Sequence, residues 1–214
     1  MIHVTGPELE NVMQKASVDL AALVGSRLCH DLISPIGAIQ NGLELMALTG
    51  GGKDSPELTL IQDSCESAAA RIRFFRVAFG HASGTQSMSR REIAGTLAAV
   101  THDGRLKAHW SEENDHLREE VQMCFLAFLC CESALPMGGT VQFDHDAAGW
   151  TVRAKGPRLN VQQPLWDHLN GVGEMDLPGA DKVQFALLPM ISETLGKQLL
   201  ATTDADSLTI KIAA

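Results

Sequence analysis

Apolar residues recur at helical spacing between about residues 17 and 48, as Leu20, Val24, Leu28, Leu32, Ile36, Ile39, Leu43 and Met46. This pattern predicts one long amphipathic helix. The run TGGGKDSP at residues 49–56 then breaks it, and Ser55 is placed to cap a second helix whose first residue is Pro56. Beyond that turn Leu58, Ile61, Cys65, Ala68, Ile72, Phe75 and Phe79 alternate steps of three and four, the seam of a coiled coil or bundle. Two helices alone cannot cover both stripes. Pairing two hairpins about a twofold axis into a four-helix bundle would, so a homodimer is expected.

The pattern changes after residue 80. Residues 1–80 are read as a hairpin domain, 81–88 as a small polar linker, and 89–214 as a mixed domain. REIAGTLAAV predicts a short helix, LKAHW a strand, and HLREEVQMCFLAFLCCESAL a buried helix ending before PMGG. TVQFDHDAAGWTVRAKG reads as two strands around a glycine-containing hairpin, and KQLLATT with SLTIKIA as a second pair. The expected fold class is α + α/β: a helical hairpin followed by a two-layer α/β sandwich.

Composition narrows the function classes. A formal net charge of −9, without a basic stripe, argues against a nucleic-acid binder. Five cysteines without CxxC spacing, all in helical segments where thiols pack as small apolar groups, fit a reducing cytoplasm. No signal peptide is evident and no apolar run approaches membrane-spanning length. Proteins or small molecules are the expected partners.

Within the first helix lies SRLCHDLISPIGAIQNGLELM, residues 26–46. At ~100° per residue, Leu28, Leu32, Ile39 and Met46 fall on the opposite side from His30, so the imidazole is expected to face solvent. Leu23, Ile33, Arg27 and Ser34 share its side, a mixed patch suited to docking a protein. Asp31 can accept a hydrogen bond from the ring, fixing one tautomer and leaving the other nitrogen as a nucleophile. Pro35 cannot bond the carbonyl of Asp31, so the helix should loosen or bend there.

HDLISP, within LCHDLISPIGAIQNGLEL, resembles the phospho-accepting histidine box of sensor histidine kinases, in the form closest to the ChpT-like histidine phosphotransferases of alphaproteobacteria; FFRVAFG at 74–80 is also similar. The resemblance spans the chain and implies a dimerisation and phosphotransfer hairpin followed by a degenerate ATP-binding-like domain. A working kinase would place an asparagine, an adenine-reading aspartate and a glycine-rich lid in that domain. Here Cys130 and Ala154 stand at the first two positions, and DKVQFALLPMISETLG has no glycine before Gly196. No bound ATP is expected. The implied function is relay of a phosphoryl group through His30 between aspartates of receiver domains, those of a hybrid histidine kinase and of response regulators. These receivers bring their own Mg²⁺, so no cofactor or metal is expected in this chain. Counting outward from the glycine turn sets Arg71, Arg73 and Arg76 near the height of His30, where they would offset phosphate charge.

Two other classes compete. The pairs His30-Asp31, His102-Asp103 and His145-Asp146 invite a metal-dependent phosphohydrolase, although the latter two are expected in turns of the other domain. A dimeric scaffold binding response regulators without chemistry is the second alternative.

Overall fold

Ser55 and Pro56 start the second helix as their chemistry predicts. The structure, a computed structural model of one chain, describes residues 6–49, 55–82, 84–102, 104–173 and 177–213, excepting the side chains of 6–17 and 49. Helix α1 (Gly6–Thr49) begins well before the apolar repeat does, and α2 (Pro56–Ala78) opens with Ser55 Oγ accepting from the Leu58 amide at 3.3 Å. The glycines expected to form the turn, with Ser83 of the linker and Asp103, lie outside the described residues. Gly42 is buried where the helices meet: a side chain there would come within 2.5 Å of Ile61 and 3.3 Å of the Glu57 carbonyl.

The linker region holds a short strand, β1 (Ser87–Met88), followed by α3 (Arg90–Val100), whose amide at Glu92 is capped by Ser89 Oγ. Then come β2 (Leu106–Trp110), β3 (His116–Leu117) and α4 (Arg118–Ala134). After these follow β4 (Gly139–Asp146), β5 (Gly149–Lys155), α5 (Gln163–Leu169) and a 3₁₀ turn, Ala180–Lys182. The described chain closes with α6 (Gln184–Thr194), β6 (Gln198–Thr203) and β7 (Ser207–Ala213). Strands β1 and β3 pair antiparallel; the main sheet runs β2-β4-β5-β7-β6, with β2 and β4 parallel and its other pairs antiparallel.

Period-two alternation sorts the sheet faces. Val141 and Phe143 of β4, Val152 and Ala154 of β5, and Leu208 and Ile210 of β7 are buried, whereas Gln142, Arg153 and Lys211 are exposed. Helices therefore cover one face and water the other, the two-layer sandwich expected. His145 and Asp146 correct the sequence reading: they end β4 rather than occupying a turn, because the strand pairs with β5 as far as Asp146↔Gly149. The cysteines also divide. Cys124, Cys130 and Cys131 are buried in α4, but Cys29 and Cys65 are exposed on the hairpin, so burial as small apolar groups holds for only the first three.

The last turns of α2 enter the core of this body. Phe74 stacks on Phe125 with ring centroids 4.7 Å apart and planes 2° from parallel, and meets Phe128 edge-on at 5.6 Å. A helix end leaves carbonyls without partners; here Gln122 Nε2 donates to the carbonyls of Ala78 and Gly80, and Arg118 Nη2 to that of Arg76. Phe74, Phe75, Val77 and Ala78 thus share one apolar core with residues beyond the expected boundary.

Candidate functional site

Helix α1 carries the centre of the site. The His30 side chain is 79% exposed, and its Nδ1 lies 3.0 Å from Asp31 Oδ1. A carboxylate only accepts hydrogen bonds, so this contact favours the Nδ1–H form of the neutral ring and turns the Nε2 lone pair outward. Asp31 itself is largely buried, with its other oxygen 2.9 Å from Arg27 Nε and 3.9 Å from Arg71 Nη1. Arg27 and Asp31 are four residues apart, neighbours one turn along the helix.

Pro35 is buried, and α1 continues through it as one helix to Thr49. The proline removes the amide that would bond the Asp31 carbonyl. Beside it a cleft of about 290 Å³ is lined by Asp31, Ser34, Pro35 and Ala38 of α1 and by Asp63, Ser64, Ser67 and Arg71 of α2. Arg71 therefore stands level with the His30-Asp31 pair.

The other candidates are distributed around this centre. Ile33 is 69% exposed and Leu23 half-buried, leaving apolar surface on the histidine-bearing helix. Ser34 is exposed at the cleft. Arg27 is turned inward, only 12% exposed, and its Nη1 donates to the Asp181 carbonyl at 2.7 Å. Arg73 is exposed on a separate groove between α2 and α3, together with Arg71 and His102. Arg76 borders an apolar groove formed by Val24, Leu28, Leu32, Ile72, Phe75 and Phe79. The structure thus gathers Arg27, Asp31, Ser34 and Arg71 about His30 and sets Arg73 and Arg76 in different grooves.

Sequence reasoning missed the contribution of the α/β body. Glu132 Oε2, at the end of α4, lies 3.9 Å from Arg27 Nη2, and Lys182 Nζ lies 3.5 Å from Asp181 Oδ2. Loss of hydration raises the Glu132 carboxyl above its ordinary value; Arg27 and Arg71 pull it back, Asp31 adds to the rise and Lys182 opposes it. No local motif marks these residues, because they reach the histidine only through the fold. Among the described residues no group of three or more His, Cys, Asp or Glu side chains could hold a metal ion, and no helix is long and apolar enough to cross a membrane.

An outward imidazole tethered to a carboxylate, on a helical hairpin joined to an α/β body, is the arrangement of a histidine phosphotransfer protein. Residues 90–207 match the family described as the histidine phosphotransferase C-terminal domain, and the chain belongs to that family. Over 200 residues it is 28% identical to the protein phosphotransferase ChpT of Brucella abortus (strain 2308), covering 90% of this chain and 94% of the relative. It is likewise similar to a bacterial phosphotransferase solved at 1.7 Å, with a TM-score of 0.75 and 28% identity over 91% of this chain and 96% of that one.

Proposed function

We propose that this phosphotransferase relays a phosphoryl group through His30 between receiver-domain aspartates. The observation that carries the reading is the exposed ring whose Nδ1 is held by Asp31, leaving Nε2 open. The Nε2 lone pair attacks the phosphorus of a receiver's aspartyl phosphate. As the N–P bond forms, the P–O bond to the donor breaks and its electron pair returns to the donor carboxylate. Asp31 stabilises the positive ring that results. An acceptor aspartate then attacks phosphorus, the N–P bond breaks, and the pair returns to Nε2. Arg71 offsets phosphate charge at the level of the ring. Mg²⁺ is supplied by the receiver, leaving this chain without a cofactor of its own.

The donor is a receiver of a hybrid histidine kinase and the acceptors are response regulators, all in the cytoplasm. Hairpins pair as a four-helix bundle in a homodimer; the half-open apolar groove around Leu28, Leu32 and Ile72 supports this arrangement. The α/β body serves as a docking surface rather than a nucleotide site. In support, Cys130 and Ala154 present small, fully buried groups where a kinase would place polar ligands.

Incubation with a radiolabelled phospho-receiver tests the reading. The wild type should gain a label lost in acid and kept in base, as a phosphoramidate is, and pass it to a second receiver; His30→Ala should gain none. Labelled peptide mapping to His102, His109 or His145, or relay by the alanine variant, would overturn it. A pure scaffold would bind receivers and take no label.

A further inference from the structure

Each nitrogen of the Arg27 guanidinium lies near a different oxygen, with Nη1 making a hydrogen bond and the other two forming ion pairs. Nε lies 2.9 Å from Asp31 Oδ2, Nη1 donates to the Asp181 carbonyl at 2.7 Å, and Nη2 lies 3.9 Å from Glu132 Oε2. With the side chain 12% exposed, this cation is turned away from an incoming anion, whereas Arg73 and Arg76 are open to solvent. The Asp31 carboxylate has two oxygens and one rotatable plane. Holding Oδ2 therefore aims Oδ1, the oxygen 3.0 Å from His30 Nδ1. Arg27 Nε and, at 3.9 Å, Arg71 Nη1 both act on Oδ2 as ion-pair charges rather than as aligned hydrogen-bond donors, Arg27 being the nearer.

We propose that Arg27 is a positioning residue of the transfer site, which fixes the Asp31 carboxylate so that His30 keeps the Nδ1–H form and presents Nε2 as the nucleophile. The proposal rests on the reading of His30 as phosphoryl carrier. Its second anchor is backbone: the Asp181 carbonyl belongs to the turn before α6, so the guanidinium is held from the α/β body and the histidine's orientation depends on a contact 154 residues away in sequence. The planar fork is what permits this. A lysine ammonium is a compact point charge and cannot reproduce the set of separate contacts.

The test is ¹⁵N-histidine NMR of the full chain at a pH where imidazoles are neutral, with the His30 signals assigned by their absence in His30→Ala. We expect the wild-type ring in the Nδ1–H form. In Arg27→Gln it should shift toward the Nε2–H form that free histidine favours, and the rate of phosphoryl uptake from a phospho-receiver should fall about tenfold, as for loss of other orienting partners. Arg27→Lys, which keeps the charge, should lie between them and provides the comparison if the glutamine variant does not fold. A merely structural arginine would lower stability without moving the tautomer. A wild-type ring in the Nε2–H form, or one tautomer common to all folded variants, overturns the assignment of Arg27 even if transfer proceeds. Failure of the wild type to take phosphate from any receiver overturns the relay reading itself, whatever the ring's tautomer.

Discussion

Phe74→Ala probes whether the histidine-bearing hairpin and the α/β body share one cooperative core. The Phe74 side chain is 1% exposed, and its ring meets Phe75, Phe125 and Phe128. Truncating a phenylalanine in such surroundings costs about 3–5 kcal/mol through lost burial and an unfilled cavity. We take about 4 kcal/mol, because these ring pairs contribute beyond their area and the caps from Gln122 and Arg118 keep the backbone from closing the gap. For a chain of this size each kcal/mol shifts Tm by ~2–4 °C, so the expected fall is roughly 8–16 °C. Urea unfolding followed in parallel by tryptophan fluorescence and far-ultraviolet circular dichroism checks this. All three tryptophans, Trp110, Trp150 and Trp166, lie in the body, whereas the dichroism is weighted toward the long hairpin helices. One core requires both signals to shift together. A loss below about 1 kcal/mol, or a shifted dichroism transition beside an unmoved fluorescence transition, would refute the shared core.

His30→Ala should change unfolding free energy by no more than about 0.5 kcal/mol, since a mostly exposed side chain is removed; a larger loss in denaturant titration would show the ring to be structural. Ile72→Asp places a charge on an apolar side chain 53% exposed in the single chain, and should convert the proposed dimer to monomer in sedimentation while leaving the dichroism spectrum intact; a wild type that is itself monomeric would overturn the pairing. Native thiol labelling at pH 8 should modify Cys29 and Cys65 only, with Cys124, Cys130 and Cys131 reacting after unfolding, as mass spectrometry of the labelled peptides would show. Burial pushes the Cys131 thiol up to about 12 and raises Cys124 and Cys130 well above the ordinary value of 9.0. The unfolded chain therefore releases these protons first. The stability contributed by the protonated thiols is fully present below pH ~9 and is lost as pH rises toward their folded values, by up to about 4 kcal/mol per pH unit if all three act; denaturant midpoints measured from pH 8 to 10.5 should fall accordingly.

The sequence made His30 legible because its exposure follows from helical phase alone: the apolar stripe lies opposite, and no tertiary contact was needed to place it. Asp31 followed from adjacency, and the Ser55-Pro56 helix start from capping chemistry. The strand pairs of the body were equally local, given their alternation and turn residues. Arg27 was a different matter. Its position on the histidine's side of the helix suggested an outward cation, but its partners Asp181 and Glu132 come from elements far along the chain, and their attraction turns it inward. The seam through Ile72, Phe75 and Phe79 also concealed a second apolar face formed by Phe74, Val77 and Ala78. The signal was present in FFRVAF, since a helix that becomes apolar around most of its circumference is entering a core rather than lying on one. The two-residue pairing of β1 with β3 is too short for any periodicity to reveal.

The way α2 terminates decides how this molecule can be divided. Cutting after residue 80 follows the apparent module boundary, yet it would strip cover from Phe74, Phe75, Val77 and Ala78 and leave the carbonyls held by Gln122 and Arg118 to find water. The piece retaining His30 would carry a greasy stump at its base, and the remainder an open socket lined by Phe125 and Phe128. A portable phosphate carrier for building synthetic relays therefore begins with the hairpin and its socket together, and grafts that seek new partners belong on the outer surfaces of that combined unit.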